Sequence, residues 1–268
     1  MHPMLNIAIR AARIAGNLIV KHYEIPSTIG SIQKIDNDFI INLRCAAKRL
    51  IVEIIHNSYP KHIISSKEET GKVFGEDTQV EWIIDSLNGT INFIKRIPHF
   101  AVSIAVRIKN RTEVGVIYDP MRNELFTASR GQGVQMNNYR QRTGSARDLN
   151  GIILGTGFPF KQKWHACSYI TLVRKLFIQC TDVRISGSAA LDLAYVAAGR
   201  IDGFFEIGLK PYNFAAGELL VREAGGVITD FNGDHNYPFS GNVVAGNPRV
   251  VKAILSTMRT ELTEELKC

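Results

Sequence analysis

Residues 82–90 read Trp82-Ile83-Ile84-Asp85-Ser86-Leu87-Asn88-Gly89-Thr90. The apolar Trp82-Ile83-Ile84 run predicts a strand that ends at Asp85, and Asn88-Gly89 is a turn signal. A carboxylate at a strand end can offer oxygen to a hard cation such as Mg²⁺. The Gly-Thr step that follows offers a phosphate backbone N–H groups and a hydroxyl. Each part also has a plainer reading on its own, Asp85 as a turn former and Asn88-Gly89 as an ordinary turn.

Working outward, residues 100–108 alternate apolar with small or polar side chains. Asn110-Arg111 then turns into residues 113–118, and Asp119-Pro120 into 124–128, which predicts an antiparallel meander. Upstream, Leu43, Ala46, Ala47, Leu50, Ile51, Ile54 and Ile55 recur at helical spacing, with Asn42 as the expected N-cap. Leu5, Ile9, Ala12, Gly16 and Ile19 form an earlier helical face. After about residue 150 strands and helices alternate. Strands are expected at 152–155, 202–206, 227–230 and 243–244. Helices are expected at 168–180, at 188–198 with Gly199 as C-cap, at 214–224 capped by Asn213, and from about 249.

The fold class is therefore α/β (α+β), with an antiparallel sheet in the N-terminal half and a mixed α/β C-terminal half. The expected organisation is one domain over 1–268, with subdomains of about 1–148 and 149–268. A cleft between such halves is a usual place for a small-molecule site.

Composition narrows the class. The 268 residues are 45% hydrophobic and 21% charged, which excludes disordered, collagen-like and coiled-coil chains. Lys and Arg number 32 against 25 Asp and Glu, a net charge of +7. Cys45, Cys167, Cys180 and Cys268 show no C-x-x-C spacing and read as free thiols in a reducing compartment. No apolar run approaches the ~18 residues of a membrane span. Arg10, Arg13 and Lys21 interrupt the N-terminal segment, so a soluble cytoplasmic protein is expected.

Two further blocks share the character of 82–90: Lys67-Glu68-Glu69-Thr70-Gly71, and Lys210-Pro211-Tyr212-Asn213-Phe214-Ala215-Ala216-Gly217. The three in this order resemble the inositol monophosphatase family of Mg²⁺-dependent, Li⁺-sensitive phosphatases. The resemblance runs from Met1-His2-Pro3-Met4 through Tyr118-Asp119-Pro120-Met121-Arg122 to Gly246-Asn247-Pro248. It implies an αβαβα layered sandwich. It also implies a first metal held by Glu68, Asp85 and the Leu87 carbonyl. Thr90 would orient the attacking water, with Gly89 receiving the phosphate beside it. The substrate wall would be Leu87, Asn88, Gly89, Thr90, Arg184, Gly187, Ser188, Ala189, Glu206 and Asn213.

The departures matter as much. Family members carry Asp at two positions that hold the second cation, and these read Asn88 and Asn213 here. A third family acid is replaced by Arg44. Arg for Asp adds two charges and each Asn for Asp adds one, so four of the net +7 gather at one expected site. A guanidinium within ~5 Å of a metal would repel each unit of its charge by ~3 kcal/mol at an effective dielectric of ~20. Arg44 is also expected in the first turn of its helix, where a cation opposes the macrodipole. One Mg²⁺ site is thus retained on paper and the second is doubtful.

The family also contains Nus factors, which join NusA, the other Nus proteins and RNA polymerase in transcription antitermination on ribosomal RNA genes. That role needs no phosphatase chemistry and is the favoured expectation, with RNA contact indirect or weak. The alternative is Mg²⁺-dependent hydrolysis of inositol 1-phosphate, weakened or lost. Family members are commonly dimers, and nothing in the spacing marks an interface.

Overall fold

A computed structural model describes residues 2–24, 34–66, 77–158 and 166–259. Among these, two sheets and eight helices build a mixed α/β fold. The first sheet runs in order β1 (His62–Ser66), β2 (Asp77–Asn88), β3 (Ala101–Ile108), β4 (Arg111–Asp119), β5 (Glu124–Ser129), β6 (Val134–Met136) and β7 (Tyr139–Gln141). From β2 to β7 every pairing is antiparallel. The expected antiparallel meander is present from β2 to β7, and at the edge of the sheet β1 pairs parallel to β2.

The second sheet contains β8 (Ile153–Thr156), β9 (Asp182–Ile185), β10 (Gly203–Glu206), β11 (Val227–Thr229) and β12 (Val243–Gly246), in the order β11-β12-β10-β8-β9. It is mixed, with β10–β8 and β8–β9 parallel and β12 antiparallel to both its neighbours.

Three apolar layers hold the sheets and helices together. Helices α1 (Pro3–Glu24) and α2 (Lys34–Ser58) cover one face of the first sheet, burying Leu5, Ala12, Ile19, Leu43, Ile51 and Ile55 with Trp82 and Phe100. After α3 (Thr90–Ile94) and α4 (Ala166–Phe177), helices α5 (Ala189–Ala197) and α6 (Pro211–Glu223) fill the space between the two sheets. Their apolar residues, among them Leu191, Leu193, Phe214 and Leu219, are buried all round, as a middle layer requires. Past the single turn of α7 (Tyr237–Ser240), helix α8 (Pro248–Met258) joins α4 on the outer face of the second sheet. The layers follow the expected αβαβα order. No described helix is long and apolar enough to cross a membrane.

Several expected boundaries move. Helix α2 begins at Lys34, so Asn42 lies inside it as an exposed residue and not at its cap. Arg44 accordingly sits well past the first turn, which removes the dipole argument. Strand β2 does not stop at Asp85 but continues to Asn88 through a register irregularity. Helix α6 starts at Pro211 after Lys210, which places Asn213 in its first turn and not at the N-cap. A proline in the first turn is the start signal that overrides the lone asparagine.

Candidate functional site

The end of β2 is bent by a bulge between Asp85 and Asn88, and the chain then turns sharply at Gly89, whose φ is +83°. A side chain at Gly89 would put Cβ 2.8 Å from the His99 carbonyl oxygen, so the turn admits only glycine. The turn drops Thr90 onto its own strand, where Oγ1 donates to the Leu87 carbonyl at 2.9 Å. Asp85 is fully buried at the centre of this corner. Ser86 Oγ donates to the Arg44 carbonyl at 3.2 Å, which brings the middle of α2 against the strand end.

Two amides close on Asp85. Asn88 Nδ2 donates to Asp85 Oδ2 at 2.9 Å, and Asn213 Nδ2, from α6, donates to the same oxygen at 3.3 Å. The orientation of each amide is fixed at its other end by a backbone N–H, which can only donate. Asn88 Oδ1 accepts from the Ala190 backbone N–H at 3.3 Å and from Ser188 Oγ at 2.7 Å. Asn213 Oδ1 accepts from the Lys210 backbone N–H at 3.0 Å. Flipping either amide would set NH₂ against N–H, so the NH₂ groups must face the carboxylate.

This arrangement bears on the second cation position. A hard cation needs oxygen ligands and negative charge. Here both amide oxygens are committed elsewhere, and the groups facing Asp85 are positive N–H ends. The residues present therefore do not fit the family's two-cation centre. Of the expected first-site ligands, Glu68 lies outside the described residues. Asp85 Oδ1 is buried without a hydrogen-bond partner, and the Leu87 carbonyl already accepts the Thr90 hydroxyl. Among the described residues no group of three His, Cys, Asp or Glu side chains could hold a metal.

The loop before α5 forms the facing wall. Ser188, Ala189 and Ala190 are brought to Asp85 through Asn88, and Gly187 packs on the Asn92 side-chain amide. Asn92 Nδ2 donates to the carbonyls of His99 and Ser186, both at 2.8 Å, tying this loop to the turn after Gly89. Arg184 stands apart on β9, paired with Asp182 at 2.6 Å and largely exposed.

Glu206 ends β10 and lies over Gly157, where any Cβ would fall 2.5 Å from the carboxylate carbon. Burial, with the charge of Asp192 added, pushes its carboxyl up to about 8. Asp192 is raised by burial to about 7, opposed by the Ser186 hydroxyl that donates to it at 2.8 Å. Asp192, Ser186 and Asn92 were not singled out from the sequence. The signal was there for Asp192, a lone acid in the apolar run Ala189-Ala190-Leu191-Asp192-Leu193-Ala194.

With this fold and corner in hand, comparison with known proteins is direct. The chain belongs to the inositol monophosphatase family, whose sequence profile matches residues 1–264. It is 66% identical to Nus factor SuhB of Escherichia coli strain K12 over 267 residues, covering 100% of both chains. Among solved structures, extragenic suppressor protein suhB from Bartonella henselae superposes with a TM-score of 0.86 at 36% identity, covering 96% of this chain and 99% of that one. Inositol monophosphatase from Anabaena (Nostoc) sp. PCC 7120 gives a TM-score of 0.85 at 31% identity, covering 98% and 97%.

Proposed function

We propose that the chain serves as a Nus factor of the SuhB kind. It would act in ribosomal RNA transcription antitermination and ribosome biogenesis, on an inositol monophosphatase scaffold whose metal centre no longer assembles. Its partners are NusA, the other Nus factors and RNA polymerase in the cytoplasm. One observation carries the reading: the amides of Asn88 and Asn213 turn their N–H groups toward Asp85, where a phosphatase needs carboxylates around Mg²⁺. A scaffold that keeps its layers and its length of match to Nus factor SuhB while closing this corner with amides is suited to binding rather than hydrolysis.

The roles expected of Thr90, Glu206 and the 187–189 wall then reduce to shaping a surface. The test has two arms. Phosphate release from inositol 1-phosphate in saturating Mg²⁺ is expected to stay at background, and immobilised protein is expected to retain NusA or RNA polymerase above a control. Turnover like that of an ordinary family member, or no retention of either partner, overturns the proposal.

A further inference from the structure

Strand β8 and the residue just beyond it carry Gly155 and Gly157 two positions apart, on one face and about 7 Å from each other. Each glycine lies under a carboxyl. A Cβ at Gly155 would fall 3.5 Å from Asp192 Cγ, and one at Gly157 2.5 Å from the Glu206 carboxylate carbon. The two acids, from α5 and β10, are thus neighbours on a glycine floor. Burial raises both carboxyls, and the charge of Asp192 raises Glu206 further.

Among the described residues neither acid pairs with a base. On β9, Arg184 is taken by Asp182 and is largely exposed. On β10, Asp202 accepts from the Ile153 backbone N–H. Behind the sheet, the Tyr169 hydroxyl of α4 is bound to Thr156 Oγ1 and to the Phe205 carbonyl. On α6, Asn213 is a neutral amide turned to Asp85 of β2, and Glu218 is held by Tyr237 and Arg222. One turn further along α5, Tyr195 faces His99, beside the Asp119–Arg122 pair. Two adjacent anions without a counter-ion are unfavourable, so the pair keeps a proton until the solution is alkaline enough to remove it.

Asp192 also holds the loop before α5. Ser186 Oγ donates to Asp192 Oδ2 at 2.8 Å and accepts from the Ser188 backbone N–H at 3.2 Å. Ser188 Oγ and the Ala190 N–H then reach Asn88 Oδ1. Residues 186–188 belong to no strand or helix, and exposed Gly187 has a φ of +82°. By contrast, α5 is buried nearly all round and β10 lies between β8 and β12. When both carboxyls ionise, the loop is the part able to yield.

We propose that Asp192 and Glu206 form a proton-operated latch on the loop 186–188, closed on the Asn88 corner while the pair holds a proton and released when the last one leaves. On release the loop swings out at Gly187, water reaches the two carboxylates, and Asn88 loses the Ser188 hydroxyl. The wall facing Asp85 thereby takes its shape from pH. The latch does not depend on the antitermination reading, because it follows from bonds within this chain.

The experiment is hydrogen exchange of the full chain at about pH 6.5 and 8.5, followed by NMR at the Ser188 and Ala190 amides and divided by their intrinsic rates. Low urea leaves local opening unchanged and accelerates whole-chain unfolding, which separates the two. Local opening at both amides is expected to rise about ten- to hundred-fold between the two pH values, as both carboxyls lose their protons. In Glu206→Gln the rise should shrink to about five-fold or less, because only Asp192 still titrates. Ser186→Ala cuts the link between acid and loop, and should remove the pH response at Ala190. No rise in the wild type overturns the latch, as does a rise that comes only through urea-sensitive unfolding. A rise that either variant leaves undiminished overturns it as well.

Discussion

Asn213 Nδ2 donates to Asp85 Oδ2 at 3.3 Å across 128 positions of sequence, joining the start of α6 to the end of β2. With the shorter bond from Asn88 it gives one buried carboxylate oxygen two amide donors. Hydrogen bonds to a charged acceptor contribute about 1.5–3 kcal/mol each, so the two amides hold this oxygen in place, while Asp85 Oδ1 is buried without a partner.

The first expectation concerns metal. On the proposed reading, in which no metal centre assembles, melting of the wild-type protein should be the same in chelator and in Mg²⁺. Asn88→Asp replaces a donor with a second buried carboxylate beside Asp85. That substitution should cost about 2–4 kcal/mol in chelator and be relieved by Mg²⁺. The triple variant Arg44→Asp/Asn88→Asp/Asn213→Asp should gain phosphate release from inositol 1-phosphate by orders of magnitude. A wild-type melting temperature that climbs several degrees on adding Mg²⁺ would refute the amide-held corner.

A second expectation follows from Glu206 and Asp192, whose carboxyls are raised to about 8 and about 7. Folded protein holds these protons more tightly than unfolded chain, where carboxyls titrate near ~4. The contribution to stability is therefore full below about pH 4 and is lost progressively as pH rises through about 7 to 8. Glu206→Gln keeps the shape and removes the titration. It should raise stability at pH 8.5 by at least ~1 kcal/mol while changing little at pH 5. Denaturant melts at the two pH values make the comparison, and an equal effect at both would exclude a titrating origin.

The third expectation tests the middle layer. Gly217 in α6 lies so close to α5 that an added Cβ would sit 2.5 Å from Leu193 Cβ. Helix propensity alone would make Gly217→Ala stabilising by up to ~1 kcal/mol. Close packing should win, giving a net loss of about 1–3 kcal/mol, read as a lower melting temperature. A variant that melts above wild type would mean that the two helices can part at little cost.

Much of this was legible in sequence. The periodicity of Leu43, Ala47, Ile51 and Ile55 marked the buried face of α2, and the alternation after Phe100 marked the meander. The resemblance located Asp85, Asn88 and Asn213 before any contact between them was visible. Their mutual geometry was not legible, because the partners of an amide depend on which backbone N–H groups tertiary packing brings to it. Asn213 looked like a cap because a lone Asn before an apolar run is one far more often than not. Helix α2 was cut short because Ile40 and Ile41 resemble a strand as much as a helix, and only packing on α1 decides. Short elements such as β1 and α7 carry too few residues for a period to show.

The tethered amide of Asn88 also bears on chemical ageing. In a flexible chain an Asn-Gly step readily loses ammonia. The glycine nitrogen attacks the side-chain carbonyl carbon, and the resulting succinimide opens to aspartate or isoaspartate. Here both ends of the Asn88 side chain are bound, and Gly89 is held in a left-handed turn against the His99 carbonyl. The nitrogen is not free to swing onto its neighbour. The folded chain is thus shielded from drifting, one molecule at a time, to the aspartate that the family resemblance implies at this position, and its charge there stays a property of its sequence rather than of its age.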